Sequence, residues 1–290
     1  MSPLAYPLDW GSRTFIMGIL NITPDSFSGD GLMRQDEVIA HALEQARRFV
    51  AAGADILDIG GESTRPGAAK VSAEEEVGRV IPVVRTLVKE GLDALISVDT
   101  YKAAVMQAAL EAGAHWINDI WGLRADPDLA GVAARSGAPL ILMHNRRQPV
   151  ATEQHSGLGG RYVGANYEDL VPDVCRELME SVKIAMDAGV KSENIILDPG
   201  IGFAKTREQN LELLDRLDEV RGLGFPILLG PSRKSFIGYT LNLPPDQRAE
   251  GTAAAVAVGI VRGADIIRVH DVEMMVRVAR MTDAIVRRRH

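Results

Sequence analysis

The chain has 290 residues, 46% of them hydrophobic and 24% charged, the balance of an ordinary globular protein. Its net charge is −7 with Lys and Arg scattered, which argues against an extended nucleic-acid surface, since phosphate-backbone binding needs a basic face. No apolar run approaches the roughly 18 residues of a membrane span, the N-terminus lacks a signal-peptide pattern, and Cys175, the sole cysteine, excludes an intrachain disulfide. A cytoplasmic protein is expected, with the Arg287-Arg288-Arg289 cluster read as a solvated helix end.

Residues 1–12 read as a lead-in, and residues 13–290 as one domain. Short runs rich in Ile, Leu and Val follow at 14–20, 55–60, 94–98, 115–120, 139–143, 194–198, 226–230 and 265–269. Most are continuous rather than alternating, which predicts parallel strands covered on both faces. Helical patterns separate them. Segment 36–52 places Ile39, Leu43, Ala46 and Val50 on one stripe, and Gly53 follows as a C′ residue. Ser72 with Glu75 makes a capping-box pattern before 73–90, and Asp126-Pro127 suits an N-cap and first-turn proline. Segment 145–165 is long and glycine-bearing for a loop, expected as a disordered stretch or a flap. Thr206 with Gln209 forms another capping pattern before a helix over 207–221.

The joints "AAGADIL", "EAGAHWI", "RSGAPLI", "DAGVKSENII" and "VRGADII" repeat a helix–Gly–strand connection. Eight strands alternating with helices predict an α/β fold, a single-domain (β/α)8 TIM barrel. A doubly wound open sheet is the alternative, but no G-x-G-x-x-G opens a helix after a strand.

Barrel enzymes carry their chemistry on the loops after the strands. Those ends read Asn21, Glu62 to Arg65, Asp99, Asn118-Asp119, His144, Asp198, Ser232 to Lys234, and Arg268 with His270. The opposite ends are Gly-Ala and Asp-rich joints without evident chemistry. Asp99, Asn118, Asp198 and Lys234 together can read a flat heterocycle carrying donors and acceptors, because a carboxylate accepts two parallel hydrogen bonds and an ammonium meets a ring carbonyl or nitrogen. Arg65, Arg268 and His270, beside the Asn21 loop, suit a phosphate. Ser232 and Ser235 open a helix where exposed N–H groups favour an anion. Each piece has a plainer reading. A strand-end Asp is often a cap, Asp58 and Asp119 fit supporting roles, and Glu62 fits a site group or an ion-pair partner at the mouth. The spacings of His144, His155 and His270 match no zinc pattern.

"MGILNITPDSFSGDG" (17–31), "DIGGESTRPGA" (58–68), "ISVDT" (96–100), "INDI" (117–120), "LMH" (142–144), "DPGIGFAK" (198–205), "GPSRKSFIG" (230–238) and "IIRVHDV" (266–272) stand in order along the chain. In these motifs it resembles the dihydropteroate synthase family. The resemblance implies a (β/α)8 barrel that joins 6-hydroxymethyl-7,8-dihydropterin diphosphate to 4-aminobenzoate, releasing pyrophosphate. Carried over by motif, it implies pterin contacts at Asp99, Asn118, Met143, Asp198, Phe203, Gly230 and Lys234. It implies diphosphate contacts at Asn21, Thr64, Arg65, Arg268 and His270, with Asn21 on Mg²⁺, and an aminobenzoate side of Phe27, Pro66, Lys234 and Ser235. The catalytic set is then Asn21, Arg65, Lys234, Arg268 and His270. The resemblance also implies a homodimer, and "DVEMMVRVARM" carries apolar residues beyond one stripe, although one wide buried face would give the same pattern.

Two departures stand out. Ala204 occupies a usual glycine position in "DPGIGFAK", expected to narrow the mouth, and "SFSGDG" permutes the familiar order, leaving open whether Asp25 or Asp30 enters the site. A pterin-binding methyltransferase would lack the Ser-Arg-Lys-Ser run and "NITPDSFS". An inactive paralogue would lose Lys234, Arg268 or His270, and all are present.

Overall fold

A computed structural model describes residues 8–22, 35–63, 70–146, 151–163 and 166–287. Its strands are β1 (Phe15–Asn21), β2 (Ile56–Gly60), β3 (Leu95–Asp99), β4 (Trp116–Asp119), β5 (Leu140–Met143), β6 (Ala151–His155), β7 (Gly159–Val163), β8 (Ile195–Asp198), β9 (Leu228–Leu229) and β10 (Ile266–Val269). The helices are α1 (Gln35–Ala52), α2 (Ala73–Glu90), α3 (Ala103–Glu111), α4 (Leu129–Ser136), α5 (Leu170–Asp187), α6 (Arg207–Asp215), α7 (Leu217–Arg221), α8 (Ser235–Leu241), α9 (Ala249–Val261) and α10 (Val272–Val286). Eight strands pair in the order β8-β5-β4-β3-β2-β1-β10-β9, all parallel. The ring closes where Leu197 of β8 bridges Ile227, just before β9. This is the (β/α)8 barrel.

The runs that read as continuously apolar serve two faces. Ile16 and Leu20, Leu57 and Ile59, and Ile96 and Val98 point outward into the layer shared with the helices. The alternate residues Phe15, Met17, Ile56, Leu95, Trp116, Ile141, Ile196, Leu228 and Ile266 fill the lower barrel, and Leu8 and Trp10 pack on that floor. Two residues further along several strands, the same inward face turns polar, and the site begins there.

The Asp-bearing joints have a backbone role. Asp55 accepts the Ile16 N–H at 2.8 Å and Asp265 accepts the Ile227 N–H at 2.9 Å, so each ties its strand to a neighbour. That explains the recurring "GAD" by strand entry rather than chemistry.

Local expectations fare unevenly. Ser72 caps α2 through the Glu75 N–H, and Thr206 with Gln209 forms a reciprocal capping box on α6. The helix foreseen over 207–221 is instead two, broken at Arg216 (φ −102°, ψ 24°), and α7 buries Leu217 and Val220. Asp126 serves two helices: its Oδ1 accepts the Asp128 N–H at 3.0 Å in the turn leading into α4, as an N-cap would. Its Oδ2 accepts the Ala103 N–H at 2.8 Å, capping α3 from the following loop, and α4 starts only at Leu129.

The long segment after β5 is ordered where it is described. β6 and β7 pair antiparallel from Ala151↔Val163 to His155↔Gly159. The hairpin docks on α8 and its surroundings: Tyr239 donates to the Gly159 carbonyl and Arg248 to the Leu158 carbonyl, each at 2.9 Å. These bonds satisfy the hairpin turn, which is why the disorder expectation fails over 151–163.

Candidate functional site

Register brings the polar strand ends to one level. Asn21 pairs with Gly60, Gly60 with Asp99 and Asp99 with Asn118, while Met143 pairs with Asp198. A Cβ on Gly60 would stand 3.7 Å from the Asp99 Cβ and 3.9 Å from the Asn21 Oδ1, so glycine keeps the gap between those two side chains open.

Arg268 binds two of the carboxylates. Its Nε lies 2.6 Å from Asp58 Oδ2 and its Nη2 2.8 Å from Asp99 Oδ2. Asn118 Nδ2 donates to the same Asp58 oxygen at 3.0 Å. Asp58 is fully buried, and its Oδ1 meets no hydrogen-bond donor among the described residues. Burial pushes the Asp99 carboxyl up to about 7; Arg268 opposes that rise and Asp58 adds to it. One guanidinium shared by two carboxylates leaves an excess negative charge, which favours a ligand edge rich in N–H donors. Asp119 takes no part. Its carboxylate accepts the Trp121 and Leu123 N–H groups at 2.8 and 2.5 Å, and shapes the turn after β4.

The other wall is built by the loop after β8 and the run after β9. Asp198 accepts the Gly200 N–H at 2.7 Å, and burial raises its carboxyl above the ordinary range against the pull of Lys234. The Lys234 ammonium donates to the Ile201 carbonyl and stands 4.5 Å above the Phe203 ring. Gly202 (φ +80°) is required there, since a Cβ would meet the Lys234 Cδ at 2.5 Å. Burial lowers Lys234 to about 8. Gly230 lies between Lys234 and Arg268, and Met143, paired with Asp198, is buried at the end of β5.

Beyond the ring-reading set, His270 faces Ser232. The Ser232 Oγ accepts the His270 N–H at 3.1 Å and lies 2.9 Å from its Nδ1. Arg233 (φ +55°) turns away to Asp271, at 2.5 and 2.9 Å, which leaves Lys234 and Ser235 to open α8 on the mouth side. Asp25, Phe27, Asp30, Thr64, Arg65 and Pro66 lie outside the described residues. Glu62 is an ion-pair partner: with Glu76 it clasps Lys102, where Tyr101 also approaches it at 3.4 Å. The three histidines do not meet. His155 packs edge-on against Tyr239, and His144 is buried elsewhere.

Sequence reasoning missed the group around His144. Its Nε2 lies 3.0 Å from Glu177 Oε2 and its Nδ1 2.9 Å from Lys205 Nζ. Burial, reinforced by Lys205, lowers the imidazole to about 3, so the ring is neutral. Burial alone would raise Glu177, yet hydrogen bonds from His144 and Arg146 hold it at about 2. The sign available was Lys205 itself, a lysine closing the quoted "DPGIGFAK". Ala204 in that motif is buried with φ +47°, and Tyr167 donates to its carbonyl at 3.2 Å. The alanine thus holds a left-handed backbone that glycine would adopt without strain.

Comparison with known proteins agrees with this geometry. The pterin binding enzyme family matches residues 17–270, and the chain belongs to that family. Dihydropteroate synthase of Bacillus subtilis is 52% identical over 278 residues, covering 96% of this chain and 90% of its own. Dihydropteroate synthase from Clostridium difficile, crystallised in the presence of pteroic acid, superposes with a TM-score of 0.88 at 48% identity, covering 97% of this chain and all of its own. The Xanthomonas albilineans synthase with 4-aminobenzoic acid gives 0.84 at 40% identity, covering 95% and 94%. Within the family, the chain stands with the dihydropteroate synthases, which are transferases.

Proposed function

We propose that this barrel mouth carries the dihydropteroate synthase reaction, joining 6-hydroxymethyl-7,8-dihydropterin diphosphate to 4-aminobenzoate. The observation that carries the assignment to particular residues is the pairing of Arg268 with Asp58 and Asp99, facing Asp198 and Lys234 across the site. Asp99, Asn118 and Asp198 read the donor edge of the pterin, Lys234 meets its acceptor atoms, and Phe203, Met143 and Gly230 give the flat ring its slot. His270 and Ser235, with Thr64, Arg65, Phe27 and Pro66, serve the diphosphate and the aminobenzoate.

The chemistry asks little of a base. The C–O bond to the diphosphate breaks with its electron pair leaving on oxygen, the aniline nitrogen forms the new C–N bond, and one amine proton is released. The electron-rich pterin supports positive charge on the methylene, so the protein's part is to hold both partners, stabilise the departing anion and exclude water. Asn21 would hold Mg²⁺ together with substrate oxygens and water. A carboxamide oxygen at the strand end fits such a hard cation, and no cluster of three acidic, His or Cys ligands exists among the described residues to bind it without substrate. When bound, Mg²⁺ offsets diphosphate charge.

A homodimer through α9 and α10 is part of the same reading. Val258, Val261, Met281 and Ile285 are 43%, 59%, 64% and 55% exposed on those two adjacent helices. No helix among the described residues is long and apolar enough to cross a membrane, and the single half-buried thiol of Cys175 suits the cytoplasm. The test of function is direct. Purified protein with pterin diphosphate, 4-aminobenzoate and Mg²⁺ should release pyrophosphate and dihydropteroate in equal amounts. Pyrophosphate without dihydropteroate, or neither product, would overturn the reading.

A further inference from the structure

We propose that Lys205 is a positioning residue for the pterin pocket: its ammonium, oriented by Glu177 through a fixed tautomer of His144, clamps the Gly200 and Phe203 carbonyls and so sets the loop that presents Asp198 and Phe203. This inference rests on the functional reading above, for the pocket it positions is the one assigned there.

The geometry is closed. Lys205 is 2% exposed, and its Nζ has three partners: the Gly200 carbonyl at 3.1 Å, the Phe203 carbonyl at 3.1 Å and His144 Nδ1 at 2.9 Å. An ammonium has three N–H donors and no acceptor, so it satisfies all three. Burial lowers Lys205 to about 7, against the pull of Asp198, so the three-way clamp is complete below that pH, and the neutral amine formed above it abandons one of the three partners.

The imidazole decides whether that third partner exists. Glu177, receiving Arg146 through both Nε (3.1 Å) and Nη2 (2.6 Å), is an ionised carboxylate and can only accept. It therefore requires a proton on His144 Nε2, and a neutral ring with that proton has a bare Nδ1, the acceptor Lys205 needs. Arg146, Glu177, His144 and Lys205 thus have compatible donor and acceptor roles from the surface to the loop.

The same loop is pinned elsewhere, which shows what the clamp completes. The Gly202 N–H donates to Asn210 Oδ1 at 2.5 Å, Tyr167 holds the Ala204 carbonyl, and the His144 N–H donates to the Asp198 carbonyl at 2.9 Å. Gly200 (φ +72°) has no room for any side chain, since a Cβ would stand 1.9 Å from the His144 carbonyl oxygen. Without Lys205, the Gly200 carbonyl keeps only the Phe203 N–H and the Phe203 carbonyl loses the ammonium. Those two residues flank Ile201, whose carbonyl receives Lys234.

The experiment compares wild type with Lys205→Met and Glu177→Gln. In wild type, nitrogen-15 NMR of His144 should show Nε2 protonated and Nδ1 bare; the opposite tautomer overturns the proposal. In Lys205→Met, calorimetry should show affinity for a pterin falling about tenfold or more, while KM for aminobenzoate stays within about twofold. Unchanged pterin affinity overturns it. Should that variant not fold, Glu177→Gln still decides, because a carboxamide can face Nε2 as donor or acceptor. Its His144 spectrum should then show mixed tautomers together with weakened pterin binding; mixed tautomers with wild-type affinity overturn the clamp. A wild-type protein inactive with both substrates would sink the functional reading alone, since the tautomer measurement needs no turnover.

Discussion

Arg268 reaches past β1 and β2 to place its Nη2 2.8 Å from Oδ2 of Asp99. A motif reading assigns these residues to opposite ends of one substrate, the arginine to phosphate and the carboxylate to the ring. As an ion pair they form a single wall, with Asp58 behind it.

Replacing Arg268 by Ala should accordingly weaken a bare pterin as well as the diphosphorylated substrate. It leaves Asp58 and Asp99 buried without their cation, a loss on the order of 3–5 kcal/mol where one partner of a buried pair is removed. Calorimetry with both ligands, beside thermal unfolding, measures this. If only the diphosphate form suffers and the melting temperature holds, Arg268 does not support the ring site.

Asp198→Asn should fold and lose roughly 1–3 kcal/mol of pterin affinity. The Asn oxygen would remain with the Gly200 N–H now held at 2.7 Å, and the amide N–H₂ would confront ring donors. Titration of a pterin into the variant reads the loss. Wild-type affinity would remove Asp198 from the pocket.

The pH dependence of kcat/KM for the pterin substrate should be bell-shaped with a narrow top. Asp99, raised to about 7, takes up a proton as pH falls through that value and ceases to accept from the ring. Lys205, lowered to about 7, and Lys234, lowered to about 8, lose their protons as pH rises through those values. The rate constant falls on both sides, and because it is kcat/KM, the limbs report the free enzyme. In Asp99→Asn the acid limb should vanish while the alkaline one stays. An acid limb persisting in that variant assigns it to another group.

Met281→Glu should halve the mass measured by light scattering at micromolar concentration. It places a charge amid the apolar side chains of α9 and α10, and Met281, 64% exposed, has little to lose within one subunit. A mass of one chain for both proteins would dismiss the dimer.

The barrel and the ring of strand-end groups were legible because each depends on local pattern. Apolar runs of strand length and Gly-bearing joints announce parallel strands, and the residue after each run shows what the mouth holds. Interactions between elements were not legible. Asp126 looked like a cap for its own helix alone, yet its second oxygen also caps the previous one, a contact that only the packing of the two helix starts creates. Segment 151–163 looked structureless because its order depends on Tyr239 and Arg248, about 80 to 90 residues further on. Lys205 was hidden for the same reason: its side-chain partner His144 follows β5, and the partner of that histidine, Glu177, lies on α5.

β9 has only two residues, and the ring closes through a single bridge, Leu197 to Ile227, which includes the Leu197-to-Pro226 hydrogen bond of 2.9 Å. Five consecutive residue pairs, by contrast, join β1 to β2. The cylinder is a cuff fastened by a single button, and the button lies between the strand that ends in Asp198 and the one that leads to Lys234. Few shared hydrogen bonds make that fastening the cheapest place for the wall to part. A pterin gripped by both residues would be a second stitch over the same gap, so that saturating the site also tightens the hoop.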